Sequence, residues 1–159
     1  MVTTRRLVGA DQDLLRAATL ANMNWSGPRF TFDDVDEAAD IVHYFRDFPG
    51  ERDFGLVDVD GATPRAVTWL VFLPADRPGY GFVDADIPEL SITTFNGFRG
   101  LGIGTALLAQ LIEAAKGVGL SGISLSVEDG NRARHLYERM GFEVVGRNGG
   151  SDTMLLKLG

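Results

Sequence analysis

Gly100, Gly102 and Gly104 alternate within the stretch Asn96-Gly97-Phe98-Arg99-Gly100-Leu101-Gly102-Ile103-Gly104-Thr105. An apolar strand, Glu89 to Phe95, runs into this stretch, and an apolar-periodic segment, Ala106 to Lys116, runs out of it. Glycine permits positive φ and lets other atoms approach the backbone. The first-turn amides of the following helix point out of the loop, and with the helix dipole they suit an anion such as phosphate. Successive amides in such a turn also form a concave nest. Arg99 adds a fixed positive charge, so the backbone of Arg99, Gly100, Leu101, Gly102, Ile103, Gly104 and Thr105 reads as a pyrophosphate cradle. A Walker loop requires Gly-Lys-Ser/Thr, whereas Gly104 is followed directly by Thr105. The spacing is G-x-G-x-G rather than G-x-G-x-x-G, and the loop lies too late in the chain for a dinucleotide fold. Taken alone, the loop also reads as a tight strand-to-helix turn with no ligand.

The groups able to move protons are few. Tyr137 lies on the apolar stripe Ala133, Leu136, Tyr137 and Met140 of a helix that Asn131 can cap. A phenol with its ordinary pKa of about 10 stays protonated at neutral pH and can donate. Glu89 stands at the start of the central strand, with Asp84 and Asp86 as competing carboxylates in the loop before it. His43 and His135 are single histidines on different helices and read as structural. The acidic pairs Asp33-Asp34 and Glu128-Asp129 lack metal-ligand spacing, so no metal is expected. Cysteine is absent, which removes disulfides, thiolate metal sites and a cysteine nucleophile.

Positioning these groups requires a sheet. Thr3 to Val8 reads as a first strand, and Leu14, Ala17, Ala18 and Ala21 as one face of a first helix. Trp25, Arg29 and Phe30 sit in the loop after it. Thr31 and Asp34 resemble a capping box ahead of a second amphipathic face, Val35, Ala38, Ala39, Val42 and Phe45. Phe54 to Val59 and Ala66 to Phe72 form a hairpin around Asp60-Gly61. A long loop from Leu73 to Ile87 carries Tyr80, and long loops in compact domains are often functional. After the central strand and its helix come a strand at Gly122 to Val127, the Tyr137 helix ended by Gly141, and two closing strands. The order is β-α-α-β-β-β-α-β-α-β-β. Adjacent strands before the first crossover imply antiparallel pairing. The β-α-β unit from Glu89 to Val127 implies a central parallel pair, hence a mixed α+β sheet with helices on both faces.

The chain has 159 residues, 45% of them apolar and 23% charged, consistent with one domain spanning 1–159. No apolar run is long enough to cross a membrane, and the N-terminus leads into no signal-peptide core, so a cytoplasmic protein is expected. The net charge of −7 disfavours nucleic acid as a partner. It suits a cationic substrate such as an amine, or serves solubility alone.

Arg99-x-x-Gly102-x-Gly104 resembles the R/Q-x-x-G-x-G/A acyl-CoA motif of the GCN5-related N-acetyltransferase (GNAT) family. The chain from Asn131 to Phe142, with Ala133, Leu136, Tyr137, Gly141 and Phe142, resembles that family's N-x-A-x-x-L-Y-x-x-x-G-F motif. The resemblance implies the GNAT-like acyl-CoA N-acyltransferase fold, in which two central parallel strands splay around acyl-CoA. It implies direct attack of an amine on acetyl-CoA, with an amine substrate and no metal. Pantetheine would pair with the strand around Ile92, Thr93 and Thr94, and Asn131 would touch CoA. Tyr137 would protonate the leaving sulfur, and Glu89 would serve as base. Trp25, Arg29, Phe30 and Tyr80 would line the acceptor pocket. A homodimer through the last strands fits the resemblance. A non-catalytic acyl-CoA-binding or sensor module on the same fold is the alternative; it would keep the glycine loop without needing Tyr137.

Overall fold

The computed structural model describes residues 1–159. Seven strands form one sheet: β1 (Val2–Arg6), β2 (Phe54–Asp60), β3 (Thr63–Val71), β4 (Glu89–Thr94), β5 (Gly122–Glu128), β6 (Glu143–Asn148) and β7 (Ser151–Lys157). Their spatial order is β1-β2-β3-β4-β5-β7-β6. Every pairing is antiparallel except β4 with β5, which run parallel as the crossover predicts. That parallel pairing consists of one register pair, Glu89 with Ser124, reinforced by the Ser124 amide donating to Pro88 O at 3.0 Å. Beyond it the two strands part.

Helices cover both faces. Along β4, Leu90 and Ile92 join the cluster formed with α4 (Ile103–Gly117) and α5 (Ala133–Met140), and Ile123, Leu125 and Val127 of β5 join them there. The buried stripe of α4 is Leu107, Leu108, Leu111, Ile112 and Ala115, one side of the expected periodic helix. Each buried leucine contributes about 1.5–3 kcal/mol relative to exposure. The opposite cluster packs Val57, Val59, Val67, Trp69 and Val71 against α1 (Gln12–Met23), α2 (Phe32–Glu37) and α3 (Ala39–Val42). Strand alternation therefore turns Glu89, Thr93 and Ser124 toward the α1–α3 side.

The element order matches the sequence expectation, with two corrections in the first half. The buried residues of α1 are Leu15, Ala18 and Thr19; of the expected face Leu14, Ala17, Ala18 and Ala21, Ala18 is buried and Leu14 packs partly buried against the core. Thr19 joins the buried residues because its hydroxyl donates to Leu15 O at 2.8 Å, which lets a polar residue be buried. The second helix is two helices. Thr31 and Asp34 do form the capping box, with the Thr31 amide donating to Asp34 Oδ2 at 2.8 Å. Ala38, however, is extended (φ −89°, ψ 107°), and the chain restarts as α3. Alanine favours helix, so tertiary packing overrides propensity here. The break buries Ile41, Val42, Phe45 and Phe48 and leaves Ala39 exposed. No helix is long and apolar enough to cross a membrane.

Candidate active site

The glycine turn follows β4. Gly97, Gly100 and Gly102 all have positive φ, at 91°, 77° and 79°. Gly102 is the N-cap of α4, and the first amide to donate inside the chain is that of Ala106, to Gly102 O at 3.1 Å. The amides of Ile103, Gly104 and Thr105 thus stay free at a helix N-terminus, the arrangement that holds an anion. A Cβ at Gly104 would lie 2.7 Å from Thr94 Oγ1, so a side chain there would force the Thr94 hydroxyl or the helix start to shift. Arg99 is exposed, and its Nε donates to Thr94 O at 3.2 Å, which brings the guanidinium beside the turn.

The gap between β4 and β5 leads from this turn. The Phe95 amide donates to Arg65 O on the β3 side at 3.0 Å. Antiparallel alternation then turns the backbone groups of Ile92 and Thr94 away from β3, into the gap. Thr93 differs. Its backbone faces β3, and its buried hydroxyl bonds Asn22 Oδ1 at 2.8 Å and Ala18 O at 3.2 Å, tying β4 to α1. No proline interrupts β4. These features fit an extended chain lying along β4 with its anionic end on the turn.

Glu89 is 2% exposed at the single β4–β5 pair. Its Oε1 accepts the Tyr44 hydroxyl and the Gly81 amide, each at 2.9 Å. Its Oε2 is buried with no hydrogen-bond partner, and so is Ser124 Oγ on the paired residue. Burial pushes the Glu89 carboxyl above the ordinary glutamate range, while the Gly81 amide, the Tyr44 hydroxyl and the nearby Gly79 amide oppose that shift. The Gly79 amide faces the carboxyl without making a hydrogen bond to Oε2. The competing carboxylates are exposed: Asp86 pairs with Arg52 at 3.1 Å, and Asp84 accepts the Asp86 amide. Of the three, only Glu89 is buried, the setting typical of an acid–base group.

Tyr137 is 9% exposed on the inner face of α5, its ring 5.9 Å from that of Phe142. Burial alone pushes its phenol up to about 12, so it remains a protonated donor. Asn131 Oδ1 accepts the Ala133 amide at 3.0 Å, which caps α5. Gly141, with φ 102°, ends that helix. His135 is exposed, as its place on the helix predicts.

Two loops flank β5. In the first, the Arg29 guanidinium reaches Glu128 Oε1 at 3.3 Å and Met23 O at 2.7 Å, and it lies near the rings of Trp25 and Phe30. The Trp25 ring comes against Gly130. In the second, Tyr80 hydrogen-bonds Asp40 through its hydroxyl, and Gly81 lies flat on Leu125 and Ser126. The loop of Trp25, Arg29 and Phe30 thus meets the end of β5 at Glu128 and Gly130, and the Tyr80 loop meets β5 through Gly81 at Leu125 and Ser126. Sequence reasoning missed Tyr44, Gly81 and Ser124. Tyr44 sits within an apparently helical apolar run and carries no motif, whereas the glycines on either side of Tyr80 were a readable sign of close packing.

Residues 19–142 match the family described as the acetyltransferase (GNAT) family. A 72-residue stretch is 39% identical to the L-methionine sulfoximine/L-methionine sulfone acetyltransferase of Pseudomonas aeruginosa. That match spans 45% of this chain and 41% of the relative, so less than half of either is compared. The fold resembles a GNAT-family acetyltransferase from Staphylococcus aureus Mu50 with a TM-score of 0.74, at 16% identity and over 100% of both chains. It also resembles the PaiA N-acetyltransferase of Thermoplasma acidophilum, solved in complex with coenzyme A, with a TM-score of 0.67, at 17% identity and over 99% of each chain. With a family match that runs from α1 to the end of α5, this chain belongs to the GNAT acetyltransferase family.

Proposed function

We propose that the chain, acting as one catalytic domain over residues 1–159, transfers an acetyl group from acetyl-CoA directly to the primary amine of a small molecule or peptide. The observation that carries this reading is the parting of β4 and β5 beyond Glu89 and Ser124, next to a turn of free amides. Pyrophosphate would rest on the amides of the Arg99–Thr105 turn, with Arg99 alongside. Pantetheine would hydrogen-bond the gap-facing backbone of Ile92 and Thr94, and one such amide would polarise the thioester carbonyl. Asn131, whose Oδ1 accepts the Ala133 amide, would contact CoA through its side-chain NH2.

In the reaction the amine nitrogen forms a bond to the acyl carbon and the carbon–sulfur bond breaks. The sulfur takes its proton from the Tyr137 hydroxyl, and Glu89 accepts the proton lost by the amine. Without any cysteine, no thioester-linked acyl-enzyme can form, which favours direct attack. Trp25, Arg29, Phe30 and Tyr80 would border the acceptor. The named activity of the Pseudomonas relative makes an amino-acid-type amine the first acceptor to try.

The test is release of free CoA thiol from acetyl-CoA in the presence of amino-acid, polyamine and peptide amines, with mass spectrometry of the product. Amine-dependent thiol release with an N-acetylated product is expected. Binding of acetyl-CoA without turnover of any amine would replace this reading with the non-catalytic module.

A further inference from the structure

Three segments far apart in the sequence close on one carboxyl group. Tyr44 reaches Glu89 from the turn after α3, Gly81 reaches it from the long loop, and Ser124 stands opposite it on β5. The Tyr44 oxygen also accepts the Tyr80 amide at 2.8 Å, and the Tyr44 carbonyl accepts the Trp69 indole N–H at 2.9 Å. Both ends of the tyrosine are therefore fixed. Gly79 completes the enclosure, because a Cβ there would overlap both Glu89 carboxyl oxygens and the Tyr44 hydroxyl.

The hydrogen-bond direction follows from counting donors. The Tyr80 amide can only donate, so the Tyr44 oxygen accepts from it and its own single proton goes to Glu89. Burial and the neighbouring Glu89 hold the Tyr44 phenol far above its ordinary pKa, so that proton stays in place. Glu89 Oε1 then carries two donors, while Oε2 carries none and lies in a buried environment with the unpaired Ser124 hydroxyl.

We propose that Tyr44 is a positioning residue for Glu89: its hydroxyl locks Oε1 and leaves Oε2 as the one oxygen of this carboxyl without a hydrogen-bond partner, free to accept a proton. The proposal rests on the reading of Glu89 as the base. A donor to a carboxylate favours the ionised form, so Tyr44 offsets part of the penalty that burial imposes. The groups acting on the Glu89 carboxyl are the Tyr44 hydroxyl from the α3 side and the Gly79 and Gly81 amides from the loop, and Ser124 is its backbone pair on β5. No charged side chain contributes to its shift. His43 packs edge-on to the Tyr44 ring; Asp40 acts on His43 and Tyr80, and Arg77 on His43, rather than on Glu89.

The test is a carbon-detected NMR titration of the Glu89 carboxyl in the wild-type chain and in Tyr44→Phe. Removing the hydroxyl should move the Glu89 midpoint to higher pH; an unchanged or lower midpoint overturns the proposal. If Tyr44→Phe does not fold, the wild-type Tyr44 hydroxyl proton gives the answer. Its resonance should shift with the same midpoint as Glu89, and a resonance that ignores the Glu89 titration overturns the proposal. Neither measurement uses an acceptor, so the effect of Tyr44 is separable from the role of Glu89. In thiol release, Tyr44→Phe should lose about tenfold in kcat/KM on the acid limb of the pH profile, the worth of one charged hydrogen bond, with KM for acetyl-CoA unchanged. An acid limb superimposable on that of the wild type overturns the positioning role. Wild-type turnover by Glu89→Gln would instead remove the base reading, whatever Tyr44 does to the titration.

Discussion

Two glycine-rich segments border β4, and they use glycine for opposite reasons. In the turn after β4, Gly97, Gly100 and Gly102 have positive φ, and a Cβ at any of them would meet nothing within 4 Å. That turn needs glycine for backbone conformation and leaves open space around free amides. In the loop before β4, Gly79 and Gly81 have no positive φ but no room either. A Cβ at Gly81 would lie 2.7 Å from Leu125 O and Ser126 N. One segment is open and set to receive an anion; the other is closed down on a carboxyl group. In the proposed acyl transfer the donor would enter at the open turn while Glu89 is held out of water.

The comparison can be broken at several points. The largest effect is expected at the closed segment's carboxyl. Glu89→Gln should lower kcat by about 10²–10⁴-fold, the usual worth of a positioned base. A loss below tenfold in thiol release would make the closed segment mere scaffolding. Gly81→Ala should destabilise the fold by about 1–3 kcal/mol through overpacking, measured by denaturant unfolding. Gly102→Ala should cost about 1 kcal/mol through its left-handed backbone alone, with weaker acetyl-CoA binding besides. Equal stability of the Gly81 and Gly102 variants to that of the wild type would erase the contrast between the two loops. Arg99→Gln should leave stability unchanged and weaken acetyl-CoA binding about three- to tenfold, with a flatter salt dependence in calorimetry.

The smallest effect is a slope. Glu89 holds its proton more tightly in the folded chain than in the unfolded chain, because burial raises its pKa. Between the ordinary glutamate value and that raised value the native state binds more protons. Its contribution to stability is therefore present below that window and falls as pH rises through it. Glu89→Gln should flatten this part of the stability profile measured by urea unfolding. An unchanged slope would place the titration elsewhere.

The contrast also explains what could be read in advance. The open turn was legible because glycine spacing, Arg99 and an incoming strand are all local features. The Tyr137 stripe and the Asn131 cap are local as well, and the element order followed from turn chemistry and periodicity. In the closed segment only the glycines around Tyr80 were legible, and the groups they close on were not. Tyr44 stands 45 residues from Glu89, and their hydrogen bond depends on where α3 ends. The start of α3 follows from Ala38 leaving the preceding helix, against its propensity and under the pull of the core. The α1 face was misread for a similar reason, since Thr19 satisfies its own hydroxyl and behaves as a core residue. Ser124 gave no signal at all, because an unpaired buried hydroxyl is visible only when the strands on both sides are in place.

The central claim is that the gap beside the open turn takes acetyl-CoA. The most direct measurement is thermal unfolding of the chain with acetyl-CoA, with CoA and a nicotinamide dinucleotide as comparisons. A ligand that binds only the folded state stabilises it by about 2.7 kcal/mol at a hundredfold excess over its dissociation constant. Selective stabilisation by acetyl-CoA and CoA is the predicted result. No response to either, or an equal response to the dinucleotide, would contradict the account.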